Sequence, residues 1–133
     1  MSKTDDNLKA AFEGESLARN RYTFYAEMAR REGYHYIAKI FEETAENEKY
    51  HAMEEYRLLQ GESSTLDNLK EAVGGENYES TEMYPAFARE AELEGNREAM
   101  ILFSQITKIE AEHRERFQKL LSLVENGMVF RRK

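Results

Sequence analysis

Two histidines in this sequence stand three residues after a glutamate. The pairs are Glu48 with His51 and Glu110 with His113, so each forms a Glu-x-x-His motif. Side chains three residues apart on a helix point to the same side, and each pair can therefore bind one metal ion. Carboxylates with imidazoles suit iron or manganese, whereas structural zinc prefers four ligands that often include sulfur. The two motifs indicate a metal site built on helices.

Further glutamates lie within the apolar stripes of the predicted helices. Burying an unpaired carboxylate is very costly, so a carboxylate on an apolar face indicates a group that is paired or bound to metal. The alternative is a glutamate-rich solvated surface, which describes Glu42, Glu43 and Glu54 well but does not explain glutamates in the stripes. The residues predicted to bind metal are Glu15, Glu48, His51, Glu76, Glu79, Glu110 and His113.

Four helical segments must position these residues. Apolar residues recur at the helical period over about residues 5–32, 35–60, 76–94 and 96–125. Gly33 and Gly95 predict tight turns, so the first two and the last two helices form antiparallel hairpins. Residues 61–75 form a longer crossover, as in ferritin-like bundles. We therefore predict an all-α, ferritin-like four-helix bundle, in a single domain over residues 1–133.

The two hairpins resemble each other in sequence. An offset of 62 residues aligns the motif of Glu48 and His51 with that of Glu110 and His113. At roughly 1.5 Å rise per residue, one carboxylate from each helix lies within about 6 Å of a common level. These four carboxylates are Glu15, Glu48, Glu76 and Glu110. Two such hairpins would pack around a pseudo-two-fold axis and supply equivalent ligands to a centre on it.

Composition excludes several classes of function. The 26 acidic residues outnumber the 19 basic ones, and a formal net charge of −7 argues against nucleic acid and anionic membranes as partners. The absence of cysteine removes disulfides, iron–sulfur clusters and cysteine nucleophiles. No apolar run approaches the roughly 18 residues of a membrane span. We expect a cytoplasmic protein.

Several motifs resemble the rubrerythrin family, and the similarity covers nearly the whole chain. The motifs are Phe12-Glu13-Gly14-Glu15-Ser16, Ala18-Arg19-Asn20-Arg21-Tyr22, Glu43-Thr44-Ala45-Glu46-Asn47-Glu48, Gly75-Glu76 and Thr81-Glu82-Met83-Tyr84-Pro85. The resemblance implies two iron ions, oxo- or hydroxo-bridged when oxidised, with manganese or zinc as substitutes. It also implies a peroxidase that reduces hydrogen peroxide to water. The alternatives are a di-iron oxidase or ferroxidase that uses dioxygen, an iron-handling protein, and a metal-free interaction bundle.

The resemblance also implies a role for each ligand. Glu48 and Glu110 would bridge the irons. Glu15 would bind one iron terminally, and Glu76 with His113 would bind the other.

Two features of the family concern the surroundings of the irons. Glu79 would bind the first iron in the oxidised state, and His51 would replace it in the reduced state. Tyr22 and Tyr84 match family tyrosines near the cluster, although ordinary core aromatics would explain them equally well.

The resemblance bears on partners as well. Many rubrerythrins continue into a rubredoxin domain with four iron-binding cysteines. Because this sequence has no cysteine, we expect a separate electron donor, such as a rubredoxin-type protein. The resemblance further implies a homodimer, and some members of the family exchange helices through the link after the second helix.

Overall fold

The computed structural model describes residues 2–129, and every regular element in that range is helical. The elements are α1 (Lys3–Arg31), α2 (His35–Gln60), α3 (Thr65–Tyr78), a π-helical turn (Glu79–Met83), α4 (Tyr84–Leu93) and α5 (Arg97–Glu125). The segments α3, π turn and α4 follow one another without a break and form the third of four helices. The predicted all-α class is confirmed. Among the helices described, none is both long and apolar enough to cross a lipid bilayer.

The described helices belong to two compact units, and the boundary between the units lies between Glu62 and Ser63. The first unit is the hairpin of α1 and α2, and in the second unit α3 and α4 both pack on α5. The two predicted hairpins are therefore confirmed. The single domain over residues 1–133 stays a prediction.

The first hairpin turns at a glycine and closes on small side chains. Gly33 has a φ of +90°, a left-handed conformation that favours glycine, and the N–H of Tyr34 then donates to the carbonyl of Ala29 at 2.8 Å. Next to the turn, Ala29 and Ala38 are buried together with Ala26. Because these side chains are small, the two helix backbones can approach closely at this end.

The second hairpin repeats this construction at an offset of 62 residues. Gly95 has a φ of +74°, and the N–H of Asn96 donates to the carbonyl of Ala91 at 2.8 Å. Each hairpin also carries three mutually packed aromatic rings, whose centroids lie 5.5–6.1 Å apart in the first and 5.5–6.0 Å apart in the second. The corresponding residues are Tyr22, Tyr25 and Phe41 in the first, and Tyr84, Phe87 and Phe103 in the second. The predicted internal repeat is present within each hairpin.

One predicted boundary is wrong. The third helix begins at Thr65 rather than near residue 76, so only Gly61–Ser64 of the predicted crossover 61–75 is non-helical. Ser64 caps the new start by accepting a hydrogen bond from the N–H of Asp67 at 3.1 Å. The helix continues through Gly74 and Gly75, although each glycine disfavours a helix interior by about 1 kcal/mol. All other predicted helix ends lie within two residues of the observed ones.

Candidate metal centre

The first hairpin brings three of the predicted ligands together. Glu15 comes from α1, and Glu48 and His51 come from consecutive turns of α2; one ligand atom from each lies within 4.8 Å of the other two. Nδ1 of His51 lies 3.1 Å from Oε1 of Glu15. The side chain of Glu15 is 27% exposed and that of His51 is 60% exposed. We call these three residues the first ligand group.

The second hairpin assembles an equivalent set. Glu76 comes from α3, and Glu110 and His113 come from α5, again with one ligand atom from each within 4.8 Å of the others. Nδ1 of His113 lies 3.5 Å from Glu76 Oε1 and 3.3 Å from Glu110 Oε1. The side chains of Glu76 and Glu110 are 18% and 15% exposed, whereas that of His113 is 43% exposed. These three residues are the second ligand group.

The π turn explains an irregularity in the repeat. Glu76 precedes Tyr84 by eight residues, whereas Glu15 precedes Tyr22 by seven, so the third helix holds one extra residue between ligand and tyrosine. A π turn accommodates one additional residue within an otherwise α-helical segment. The turn at Glu79–Met83 lies between the two positions. It therefore lets Glu76 and Tyr84 both face α5, although their spacing differs from that in α1.

Each ligand group has a further carboxylate beside it. A hydrogen bond to Glu110, burial and the negative charge of Glu110 raise the pKa of Glu79, one of the predicted ligands. In the first hairpin, a hydrogen bond to Glu15, burial and the charge of Glu15 raise the pKa of Glu55 to about 7. Sequence reasoning missed Glu55, although its position seven residues after Glu48 puts it on the same helix face.

The two groups carry negative charge that the described residues do not neutralise. Within residues 2–129, the ion-pair partners of these carboxylates are histidines, and no lysine or arginine pairs with them. When the carboxyl groups are ionised, three buried side-chain oxygens accept no hydrogen bond from the described residues: Glu15 Oε2, Glu55 Oε1 and Glu76 Oε2. Buried charges of this kind are stable when they are paired or bound to metal. Oxygen-rich groups with one imidazole each fit two iron ions.

The two predicted tyrosines lie in different surroundings. Burial, and then the charges of Glu79, Glu110 and Glu76, raise the pKa of Tyr84. Its ring packs on Phe103 of α5 with ring centroids 6.0 Å apart. Tyr22 stacks on Phe41 with ring centroids 6.0 Å apart. Roles for Tyr22 and Tyr84 in the chemistry stay predictions.

Metal loading is expected to lower the pKa of Tyr84. The carboxylates around it disfavour the phenolate, so its pKa lies above the ordinary value in the metal-free chain, and bound cations would offset those charges. Ultraviolet absorbance of the phenolate, measured against pH with and without bound zinc, tests this, and the Tyr84→Phe variant identifies the signal. An unchanged titration on loading would contradict cation binding at the second group.

Comparison with known proteins identifies a family for the chain. The family model for rubrerythrin matches residues 6–121. The chain belongs to the rubrerythrin family. The rubrerythrin of Porphyromonas gingivalis is 49% identical, over 98% of this chain and 72% of the relative. A putative rubrerythrin of Methanocaldococcus jannaschii is 44% identical, over 99% of this chain and 76% of the relative.

Among solved structures, the chain is similar to nigerythrin. Fully reduced, all-ferrous nigerythrin is 36% identical, with a TM-score of 0.48 and coverage of 94% of this chain and 69% of the other. As a rubrerythrin-family protein, the chain is a ferritin-like di-iron protein of an oxidoreductase family. The structure brings six of the seven predicted ligands into two groups and puts Glu79 in contact with Glu110. The individual binding role of each residue stays a prediction.

Proposed function

We propose that this rubrerythrin-family protein reduces hydrogen peroxide to water. The reaction consumes one peroxide, two electrons and two protons, and it yields two water molecules. The observation that carries the proposal is the pair of ligand groups, each with carboxylates and one imidazole. In the described part of the chain, no lysine or arginine pairs with them. The family membership supports iron as the metal that these groups would bind.

The bound irons would supply the electrons, since two ferrous ions release two electrons on becoming ferric. The side chains would hold the metals and provide a defined surrounding for the substrate. In the second hairpin, Glu110 Oε1 lies 3.3 Å from Nδ1 of His113, and the carboxyl group of Glu110 also contacts that of Glu79. Tyr84 keeps its proton well above neutral pH and therefore presents a neutral O–H group near this ligand group.

The choice between peroxide and dioxygen can be measured directly. The protein is loaded with iron, reduced without oxygen, and mixed in a stopped-flow instrument with equal concentrations of peroxide or dioxygen. We expect the absorption of the oxidised centre to form at least about tenfold faster with peroxide. Equal or faster oxidation by dioxygen would contradict the peroxidase proposal and favour an oxidase or ferroxidase instead.

We further propose a separate electron donor of the rubredoxin type. Among its 133 residues the sequence has no cysteine that could bind an iron–sulfur or rubredoxin-type centre. Steady-state peroxide consumption by these 133 residues alone should therefore require an added donor, and a reduced rubredoxin is the one to test. The homodimer, with or without exchanged helices, and the cytoplasmic location stay predictions. Light scattering after size-exclusion chromatography measures the oligomeric state.

A further inference from the structure

Glu55 lies on the same face of α2 as the two α2 ligands of the first group. It follows Glu48 by seven residues and His51 by four, and both spacings bring side chains to one side of a helix. Glu55 is half-buried, whereas the adjacent Glu54 is exposed and pairs with Arg57 at 3.0 Å. The helix therefore directs Glu55 toward the first ligand group and Glu54 toward solvent.

The contact between Glu55 and Glu15 is incomplete without a further group. Their carboxyl groups lie within hydrogen-bonding reach of each other. When both groups are ionised, however, Glu55 Oε1 and Glu15 Oε2 are buried and accept no hydrogen bond from residues 2–129. Two ionised carboxylates cannot satisfy each other, because both are acceptors only. A cation placed against both would satisfy them, and metal binding displaces the protons that otherwise occupy such sites.

The fold does not require a carboxylate at this position. The internal repeat pairs Glu55 with Phe117 of α5, which is half-buried on the apolar stripe of its helix. The corresponding position in the second hairpin is thus filled by an apolar side chain. In the second hairpin the additional carboxylate comes from the π turn instead of from α5, since Glu79 of that turn contacts Glu110. With Glu55 beside the first ligand group and Glu79 beside the second, each hairpin has three carboxylates and one imidazole close together.

We propose that Glu55 is a further metal ligand, which supplies a carboxylate oxygen to the ion bound by Glu15, Glu48 and His51. The inference rests on the proposed metal site and adds a donor to it. An eighth protein donor raises the negative charge around the metals, and this favours the ferric state over the ferrous state. Glu55 would therefore favour the ferric oxidation state of the first iron.

Cobalt binding tests this inference without measuring turnover. Metal-free protein is titrated with Co²⁺ while the visible absorption of the bound ion, which depends on its coordination, is recorded. We expect two equivalents for the unmodified chain. In Glu55→Gln, one equivalent should bind at least about tenfold more weakly and with a changed spectrum, since even outer partners of a ligand affect affinity by about 10- to 100-fold. The matched control is Glu54→Gln, which should bind like the unmodified chain.

A second variant guards against loss of structure. Glu55→Phe copies the residue of the repeat, so it should keep the helical circular dichroism of the metal-free chain and still show the weakened, spectrally changed equivalent. An unchanged cobalt spectrum in both variants, with or without a loss of affinity, would overturn Glu55 as a ligand and leave the proposed function standing. An unmodified chain that binds neither cobalt nor iron would overturn the proposed function and this inference together.

Discussion

Replacing Glu110 by glutamine is expected to remove the iron from the second ligand group and to reduce peroxide consumption at least about 100-fold. The side chain is only 15% exposed and lies 3.3 Å from Nδ1 of His113, and its carboxylate also contacts Glu79. A glutamine keeps the size of the side chain but lacks the charge that binds a ferrous or ferric ion. Iron content per chain and steady-state peroxide consumption measure the two effects.

The metal-free form of the same variant separates a lost ligand from a lost fold. A hydrogen bond to Glu110, burial and the charge of Glu110 raise the pKa of Glu79. Because Glu110→Gln removes that charge and its repulsion, the metal-free variant should melt no lower than the metal-free unmodified chain. The matched control is Glu112→Gln, which makes the same chemical change two residues away at an exposed position of α5. If Glu110→Gln retained all of its iron, or if Glu112→Gln lost as much, the second ligand group would be wrongly identified.

Both ligand groups could be predicted because they depend on local spacing and on one turn. An antiparallel hairpin brings together residues that are equally far from its turn. Glu15 and His51 are each 18 residues from Gly33, and they lie 3.1 Å apart. In the second hairpin, Glu76 is 19 residues and His113 is 18 residues from Gly95, and they lie 3.5 Å apart. Counting residues from the two turn glycines was therefore enough to predict which ligands lie opposite each other.

The third helix shows where counting was insufficient. Gly74 and Gly75 indicate a break when propensities are considered alone, but the chain remains helical from Thr65 onward. Packing of α3 and α4 against α5 stabilises the whole segment, and tertiary contacts of this kind override weak local preferences. The π turn at Glu79–Met83 was not predicted either, although the one-residue difference between the hairpins pointed to an insertion.

Glu55 was missed for a different reason. Its position continues the apolar stripe of α2, three residues after Ala52 and three before Leu58, so the rule that identified the other ligands applies to it as well. It belongs to no Glu-x-x-His motif. Its counterpart at an offset of 62 residues is a phenylalanine, so the internal repeat did not indicate a ligand at this position. The contact with Glu15, which reveals its place, depends on the packing of α1 against α2.

Removing the metal is expected to lower the melting temperature and to reverse the dependence of stability on pH. Ions present at 100 times their dissociation constant stabilise the folded chain by about 2.7 kcal/mol. For a chain of this size that corresponds to a loss of roughly 10 °C on chelation. Circular dichroism of the helices, followed during heating at pH 5.5 and pH 8 with and without bound metal, measures both effects.

The direction of the pH effect in the metal-free chain follows from the raised pKa of two carboxyl groups. The pKa of Glu55 lies near 7 in the folded chain, above its ordinary value of 4.5, and the pKa of Glu79 is raised as well. Their protonated forms therefore stabilise the fold fully below pH 4.5, and this contribution falls as the pH rises through 7. The metal-free chain should melt at a lower temperature at pH 8 than at pH 5.5.

The loaded chain should show the opposite trend. Protons compete with metal for the same carboxylates and imidazoles, so metal binds more tightly, and stabilises more, at pH 8 than at pH 5.5. Glu55→Gln removes one titrating group and should flatten the pH dependence of the metal-free chain, whereas Glu54→Gln should not. Melting curves that coincide with and without metal, after metal loss is confirmed by elemental analysis, would mean that these carboxylates tolerate one another without a cation. The di-iron assignment would then lose its physical basis in this chain.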